Sequence, residues 1–180
     1  VKPTTPHGQL PILYREGKTP ITQSMAILRI AGKMSPALFP EEKYEEIEEL
    51  LGQVADLDTA VVPCLQISRE PELLGYPKDF AKTDEGGDKI KDIRTGFVTK
   101  QIPKFAKLFS DKIVSSGSAF LCGPNPTIAD CALFPMLDWF TSGILDHVPT
   151  TVLDEYPVLT DYLKRFSELP AVKAHYANKK

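Results

Sequence analysis

The strongest constraint on the fold is the spacing of apolar residues beyond residue 40, which repeats with the 3.6-residue period of an α-helix. The stripe follows Pro40–Glu42, where a proline and two acids suit the first turn of a helix. Its members are Tyr44, Ile47, Leu50, Leu51, Val54, Leu57 and Val61. Helical spacing resumes from Ile90 to Ile113; Pro103 should kink that helix and Gly117 should end it. Residues 40–180 are therefore predicted to form an all-helical bundle.

The helix predicted after residue 127 should lie in the centre of this bundle. Thr127 and Asp130 are three residues apart at its start, a capping-box arrangement with Asp in place of Glu. The residues that follow are almost all apolar: Ala132, Leu133, Phe134, Met136, Leu137, Trp139 and Phe140. A buried helix start must satisfy its N–H groups internally, so Thr127 and Asp130 are predicted to be structural caps. Two more helices should begin near Pro157 and Pro170.

The first 32 residues have a different pattern. The apolar run 9–14, the turn signal at Glu16-Gly17 and the segment opening at Ile21 predict a short β-hairpin. A helix should follow from Ser24 and stop at Ala31-Gly32. Residues 68–88 are rich in proline and glycine and are predicted to be a long loop. Because an isolated two-stranded hairpin is only marginally stable, we expect further secondary structure to pack beside it.

Composition argues against several functional classes. The net charge of -3, without a basic stripe, disfavours a nucleic-acid surface. Cys64, Cys122 and Cys131 lack a regular spacing and a histidine cluster, which indicates buried free thiols in a reducing compartment and no metal site. No apolar run approaches the length of a membrane span, and no signal peptide opens the chain. The glutamates between residues 41 and 49 are interpreted as a solvated face. A cytoplasmic location is the expectation.

Three motifs follow one another along the chain: Gln9-Leu10-Pro11-Ile12-Leu13, then Gln23-Ser24, then Thr127-Ile128-Ala129-Asp130 far downstream. Their order and spacing resemble the glutathione transferase superfamily, and residues 2–13 look most like its sigma class. The resemblance covers essentially the whole chain. It implies an α+β fragment, in which residues 1–32 are the end of a thioredoxin-like domain, a β-hairpin plus a helix. Residues 40–180 would then be the all-α C-terminal domain.

The resemblance implies a binding site for glutathione around the hairpin. The bond before Pro11 would be cis, so that the backbone of Leu10 pairs with the cysteinyl part of the tripeptide like an added strand. The plainer alternative is a proline on an edge strand. Gln23 and Ser24 would bind the γ-glutamyl carboxylate at a helix N-terminus. Ser24 acting only as an N-cap is the corresponding alternative.

The two ends of the tripeptide have further candidates. Lys2 would pair with the glycyl carboxylate, although a plain surface lysine is a serious alternative. Gln9 occupies a position where related proteins place Lys or Gln near that carboxylate. In the family, an acid on the partner subunit's first long helix meets the glutathione amino group. Asp58 is the candidate here, and Asp56 is a second possibility.

The family's catalytic hydroxyl belongs to a tyrosine in a strand–helix–strand unit ahead of this point, and none of that unit is in this sequence. We therefore assign no catalytic residue to the chain, which we expect to be inactive alone. The intact protein should be a homodimeric detoxification enzyme that conjugates or isomerises small electrophiles, with glutathione as cosubstrate and no metal. The electrophile would rest against the helices at 44–66 and 89–113. A non-catalytic structural or assembly subunit is the alternative, mildly favoured by the long 68–88 loop.

Overall fold

A computed structural model describes Thr5 and residues 8–177. The chain opens with the predicted hairpin. Strand β1 (Ile12–Leu13) pairs antiparallel with β2 (Ile21–Thr22), and Ile12 lies opposite Thr22. The turn between them contains Gly17 at a φ of 65°, a conformation that glycine adopts without strain. The hairpin prediction is confirmed, with strands of only two residues each.

Helix α1 (Ser24–Met34) follows directly and ends two residues beyond the predicted stop. The interpretation of Gly32 as a helix terminator is wrong, because Gly32 is buried within the helix. A Cβ atom at Gly32 would lie 2.7 Å from Cγ2 of Ile128 and 3.1 Å from Cβ of Phe39. The glycine therefore permits close packing between α1 and the later helices.

Helix α2 (Tyr44–Arg69) is preceded by a 3-10 turn over Glu41–Lys43, as the Pro40 start signal predicted. Its predicted apolar stripe is buried, apart from Tyr44, and continues to the end of the helix: Ile47, Leu50, Leu51, Val54, Leu57, Val61, Cys64 and Ile67. Among the described residues, only Glu41–Arg69 is long and apolar enough to cross a bilayer by length and composition. Since its stripe packs in the core, it is a central helix of the bundle.

The predicted loop at residues 68–88 is shorter and more ordered than expected. It contains 3-10 turns at Pro71–Leu74 and Phe80–Lys82, and helix α3 (Asp84–Gly96) then begins before the apolar spacing does. The reason is a cap: Oγ1 of Thr83 accepts a hydrogen bond from the N–H of Gly86 at 3.0 Å.

Helix α4 (Ile102–Ser116) continues from α3 through one π-helical turn, Phe97–Gln101. That turn lies just before Pro103. In a regular helix, the proline nitrogen would have no N–H to donate and its ring would clash with the carbonyl four residues earlier. The predicted irregularity thus takes the form of a widened turn. Gly117 ends the helix at a φ of 61°, as predicted.

Three helices complete the fold: α5 (Ile128–Thr141), α6 (Pro157–Ser167) and α7 (Pro170–Ala177). Helix α5 packs against α1, α2 and α6, which confirms its predicted central position. The aromatic core around it includes Phe134 stacked on Phe166, with ring centroids 4.6 Å apart. The predicted fold class, a hairpin and helix followed by an all-helical bundle, is therefore confirmed.

Candidate functional site

A small surface cavity lies where the hairpin meets the N-terminus of α1. Its volume is about 250 Å³ and it is lined by Gly8, Gln9, Leu10, Gln23 and Ser24. Four of the residues predicted from sequence to bind a ligand thus surround one space, although 12 residues of chain separate Leu10 from Gln23. The lining is mostly polar, as a site for a charged or hydrogen-bonding molecule requires.

The hairpin side of the cavity is shaped by Pro11. The Leu10–Pro11 peptide bond is cis, as the family resemblance implies. Leu10 is 55% exposed and precedes β1, so no strand of the described hairpin covers its backbone. A backbone segment in this condition can pair with an extended ligand.

The opposite side of the cavity is the N-terminal tip of α1. The N–H of Ile27 bonds the carbonyl oxygen of Gln23 at 3.0 Å, and within the described part of the chain no side chain caps the helix start. The N–H groups of Ser24, Met25 and Ala26 therefore have no intrahelical acceptor and lie at the positive end of the helix dipole. Ser24 is the first helical residue rather than the N-cap, so the alternative of simple capping by Ser24 does not hold in this structure.

Gln23, at the N-cap position, has an unusual backbone conformation with φ 76° and ψ 113°. A residue other than glycine in such a region costs about 1–3 kcal/mol, and such residues cluster at functional sites. Its side chain crosses the cavity: Nε2 donates a hydrogen bond to Oε1 of Gln9 at 2.9 Å. The two glutamines thus connect the strand side of the cavity to the helix tip.

A second cavity of about 370 Å³ begins at Ser24 and extends between α1, α2 and α5. Asp58 lies at its α2 wall and is the one acidic residue among the described residues that line it; Asp56 does not line it. The other lining residues are mainly apolar: Met25, Leu28, Val54, Ala55, Cys131, Ala132 and Met136. The fold therefore brings Asp58 and Ser24 to one cavity within a single chain. Lys2, the remaining candidate, lies outside the described residues.

Thr127 and Asp130 lie apart from this cavity, at the buried start of α5. Both bonds of the capping box are present, and Oδ2 of Asp130 accepts the N–H of Thr127 at 2.7 Å. Oδ1 accepts the N–H of Leu121 at 3.1 Å. Burial raises the pKa of Asp130 above its ordinary value, although these N–H donors favour the charged form. The geometry is that of a structural cap.

The contacts of two arginines, Arg94 and Arg29, were not predicted from the sequence. Arg94 is only 5% exposed and donates to the carbonyl oxygens of Cys64 and Asp146 and to Oγ of Ser68. It therefore ties α3 to α2 and to the loop after α5. Arg29 on α1 makes a two-pronged hydrogen bond with Glu48 on α2, at 2.8 and 2.7 Å.

Neither arginine follows a spacing rule, so a single sequence carries no signal for these pairings. Within the described part of the chain, no group of three or more His, Cys, Asp or Glu residues is placed to hold a metal ion.

The fold defines a class of protein: a β-hairpin and helix joined to an all-helical bundle, as in solved glutathione S-transferase structures. Residues 77–179 match the family model for the glutathione S-transferase C-terminal domain. The chain therefore belongs to the glutathione S-transferase family.

Among its relatives is glutathione S-transferase 1 of Ascaris suum, 28% identical over 184 residues, covering 99% of this chain and 78% of the relative. Solved structures that share the fold include the following two. Prostaglandin synthase D of Nilaparvata lugens has a TM-score of 0.77 at 22% identity, covering 99% of this chain and 78% of that one. The monomeric glutathione S-transferase Na-GST-3 of Necator americanus has a TM-score of 0.75 at 22% identity, with the same coverage.

Proposed function

We propose that the cavity between Gln9, Leu10, Gln23 and Ser24 binds glutathione. The single observation that carries this proposal is the convergence of an uncapped helix tip and the exposed backbone segment just before β1 on one small polar space. The γ-glutamyl carboxylate would take the free N–H groups at the tip together with the Ser24 hydroxyl and the Gln23 amide. The cysteinyl backbone would pair with Leu10, held by cis-Pro11.

The remaining assignments follow the ends of the tripeptide. Asp58 would accept a hydrogen bond from the ammonium group of glutathione. On the family resemblance it would do so for the site of a partner subunit, whereas the shared cavity with Ser24 also favours a role within its own chain. Lys2 would pair with the glycyl carboxylate. We further propose two domains, at residues 1–32 and 40–180.

As an activity, we propose the conjugation or isomerisation of small electrophiles by the glutathione thiolate, in a cytoplasmic, homodimeric detoxification enzyme closest to the sigma class. The thiolate must be stabilised, because a thiol with a pKa of about 8.5 is only partly ionised at neutral pH. That task would belong to the tyrosine of the strand–helix–strand unit that the resemblance implies. The electrophile would lie against α2 and the α3–α4 helix.

Calorimetric titration of the chain with reduced glutathione tests the binding. Ser24→Ala should weaken binding about 10-fold or more, because a hydrogen bond to a charged group is worth about 1.5–3 kcal/mol. Ser115→Ala is the matched control, since Ser115 is exposed on α4 and its hydroxyl bonds only the carbonyl oxygen of Lys112. Equal affinities for the two variants would contradict the proposed site.

A second candidate function is a non-catalytic structural or assembly subunit. The observation that favours it is the apolar tip of the loop between α2 and α3, where Leu73 is 65% exposed and Leu74 is 39% exposed. Such side chains can contact another protein. Glutathione binding without conjugation of a model electrophile by the intact protein would favour this function; measurable conjugation would contradict it.

A further inference from the structure

The hydrogen bond between Gln9 and Gln23 gives Gln9 a task other than the one its sequence position suggests. We infer that Gln9 is a positioning residue for the γ-glutamyl end of the ligand, acting through Gln23, rather than a ligand of the glycyl carboxylate. This inference rests on the proposed function. It concerns how the site is organised and which end of the tripeptide responds to Gln9.

The backbone first fixes where the Gln23 side chain begins. Thr22 is paired with Ile12 in the hairpin, and Ser24 is already helical, so Gln23 is held between two regular elements at a φ of 76°. Its Cα–Cβ direction is therefore set by the fold. The rest of the side chain has several rotatable bonds and would be free in solvent without a partner.

Gln9 supplies that partner. Its Oε1 accepts one N–H of the Gln23 carboxamide at 2.9 Å. A glutamine Nε2 carries two N–H donors, so the second remains available for a carboxylate at the helix tip. Fixing the carboxamide before the ligand arrives reduces the ordering cost of binding, which is how preorganised groups raise affinity.

The size of the effect follows from the exposure of the pair. Both glutamines are exposed, so the bond adds little to folding stability, but the Gln23 side chain must be ordered at a cost in affinity when the ligand binds without this hydrogen bond. Removing it should weaken glutathione binding roughly 3- to 10-fold. Gln9→Met is the suitable variant, because methionine has nearly the same length and volume and cannot accept a comparable hydrogen bond.

The experiment compares two probes by calorimetric titration: glutathione, and glutathione whose glycyl carboxylate is blocked as an ethyl ester. If Gln9 acts through Gln23, Gln9→Met weakens binding of both probes by the same factor. It also has no further effect in a Gln23→Ala background, since the group that it positions is gone. If Gln9 instead binds the glycyl carboxylate, Gln9→Met weakens glutathione but not the ester, and adds fully to Gln23→Ala. That result overturns the inference.

Two further readings separate the possible failures. The side-chain amide signal of Gln23, followed by NMR in the unliganded chain, should shift in Gln9→Met; an unchanged signal means that the pair does not form and overturns the inference. Unfolding midpoints should be unchanged, because both side chains are exposed. If the unsubstituted chain binds neither probe, the proposed function itself is refuted, and the positioning role is refuted with it.

Discussion

Gly32 offers the sharpest test of how α1 is attached to the bundle. Replacing a glycine within a helix by alanine normally raises stability by about 0.5–1 kcal/mol, because alanine loses less backbone entropy on folding. At Gly32, however, the new Cβ would lie 2.7 Å from Cγ2 of Ile128 and 3.1 Å from Cβ of Phe39. Overpacking of this kind costs about 1–3 kcal/mol. Gly32→Ala should therefore leave stability roughly unchanged or lower it by up to about 2.5 kcal/mol.

Gly52 on α2 is the matched control. It is exposed within a helix, and a Cβ atom there would have no neighbour within 4 Å. Gly52→Ala should therefore gain the full alanine preference, about 0.5–1 kcal/mol. The two variants share the same propensity term, so the difference between them isolates the steric cost at Gly32.

The assay is urea unfolding followed by the fluorescence of Trp139, the single tryptophan, which lies on α5 beside Phe140. The free energies of unfolding of the two variants should differ by about 1–3 kcal/mol, or about 2–12 °C in melting temperature. If Gly32→Ala stabilises the chain as much as Gly52→Ala does, α1 does not approach the start of α5 as closely as described.

Three further predictions concern stability and thiol chemistry. Asp130→Ala should lower the free energy of urea unfolding by about 2–5 kcal/mol, because two buried N–H groups lose their acceptor; Asp138→Ala, on an exposed part of the same helix, should change it by less than about 0.5 kcal/mol. Hydrogen bonding from Arg29 lowers the pKa of Glu48 in the folded chain. The pair therefore stabilises the fold at pH values above the unfolded carboxyl pKa of about 4.3. This stabilisation is lost as the pH falls through the lower pKa of the folded state. Glu48→Gln should accordingly cost about 0.5–1 kcal/mol in urea unfolding at pH 7, and this cost should shrink as the pH is lowered through the folded pKa of Glu48. Burial raises the pKa of Cys122 to about 11, so labelling of the folded chain by a thiol reagent at pH 8 should be far slower at Cys122 than in urea; equal rates would contradict its burial.

The parts of the fold that could be predicted from sequence are those specified by residues close together in the chain. The α2 stripe repeats every 3.6 residues, and the Thr127–Asp130 cap uses two side chains three positions apart. Each signal lies within one or two helical turns, so it can be recognised without knowing what packs against it. The cis bond at Pro11 was predictable in a different way, through its place in the order of family motifs.

The parts that sequence could not predict depend on contacts between distant residues. Gly86 looked like part of a loop, yet a Cβ there would overlap the carbonyl oxygen of Phe80, and the residue lies inside α3. Arg94 lies amid the apolar spacing of α3 without any mark of its partners, the nearest of which is 26 residues away. The Gln9–Gln23 bond likewise spans 14 residues. Pairings of this kind are decided by tertiary geometry.

The site residues of α1 depend on the bundle more closely than the small cavity suggests. The contacts that hold α1 and the linker after it in place include the packing of Gly32 on Ile128, the bond between Arg29 and Glu48, and the bond from the N–H of Ile128 to the linker carbonyl of Leu38 at 2.8 Å. Two of these involve Ile128, the first residue of α5, whose position is set by the buried cap beside it. A substitution in that cap would therefore shift the C-terminal end of α1. The N-terminal end of the same helix offers free N–H groups to a ligand. A substitution at Ile128 should consequently change both the stability of the helical bundle and the affinity of the hairpin cavity for its ligand. A substitution at Gln9 should change the affinity alone.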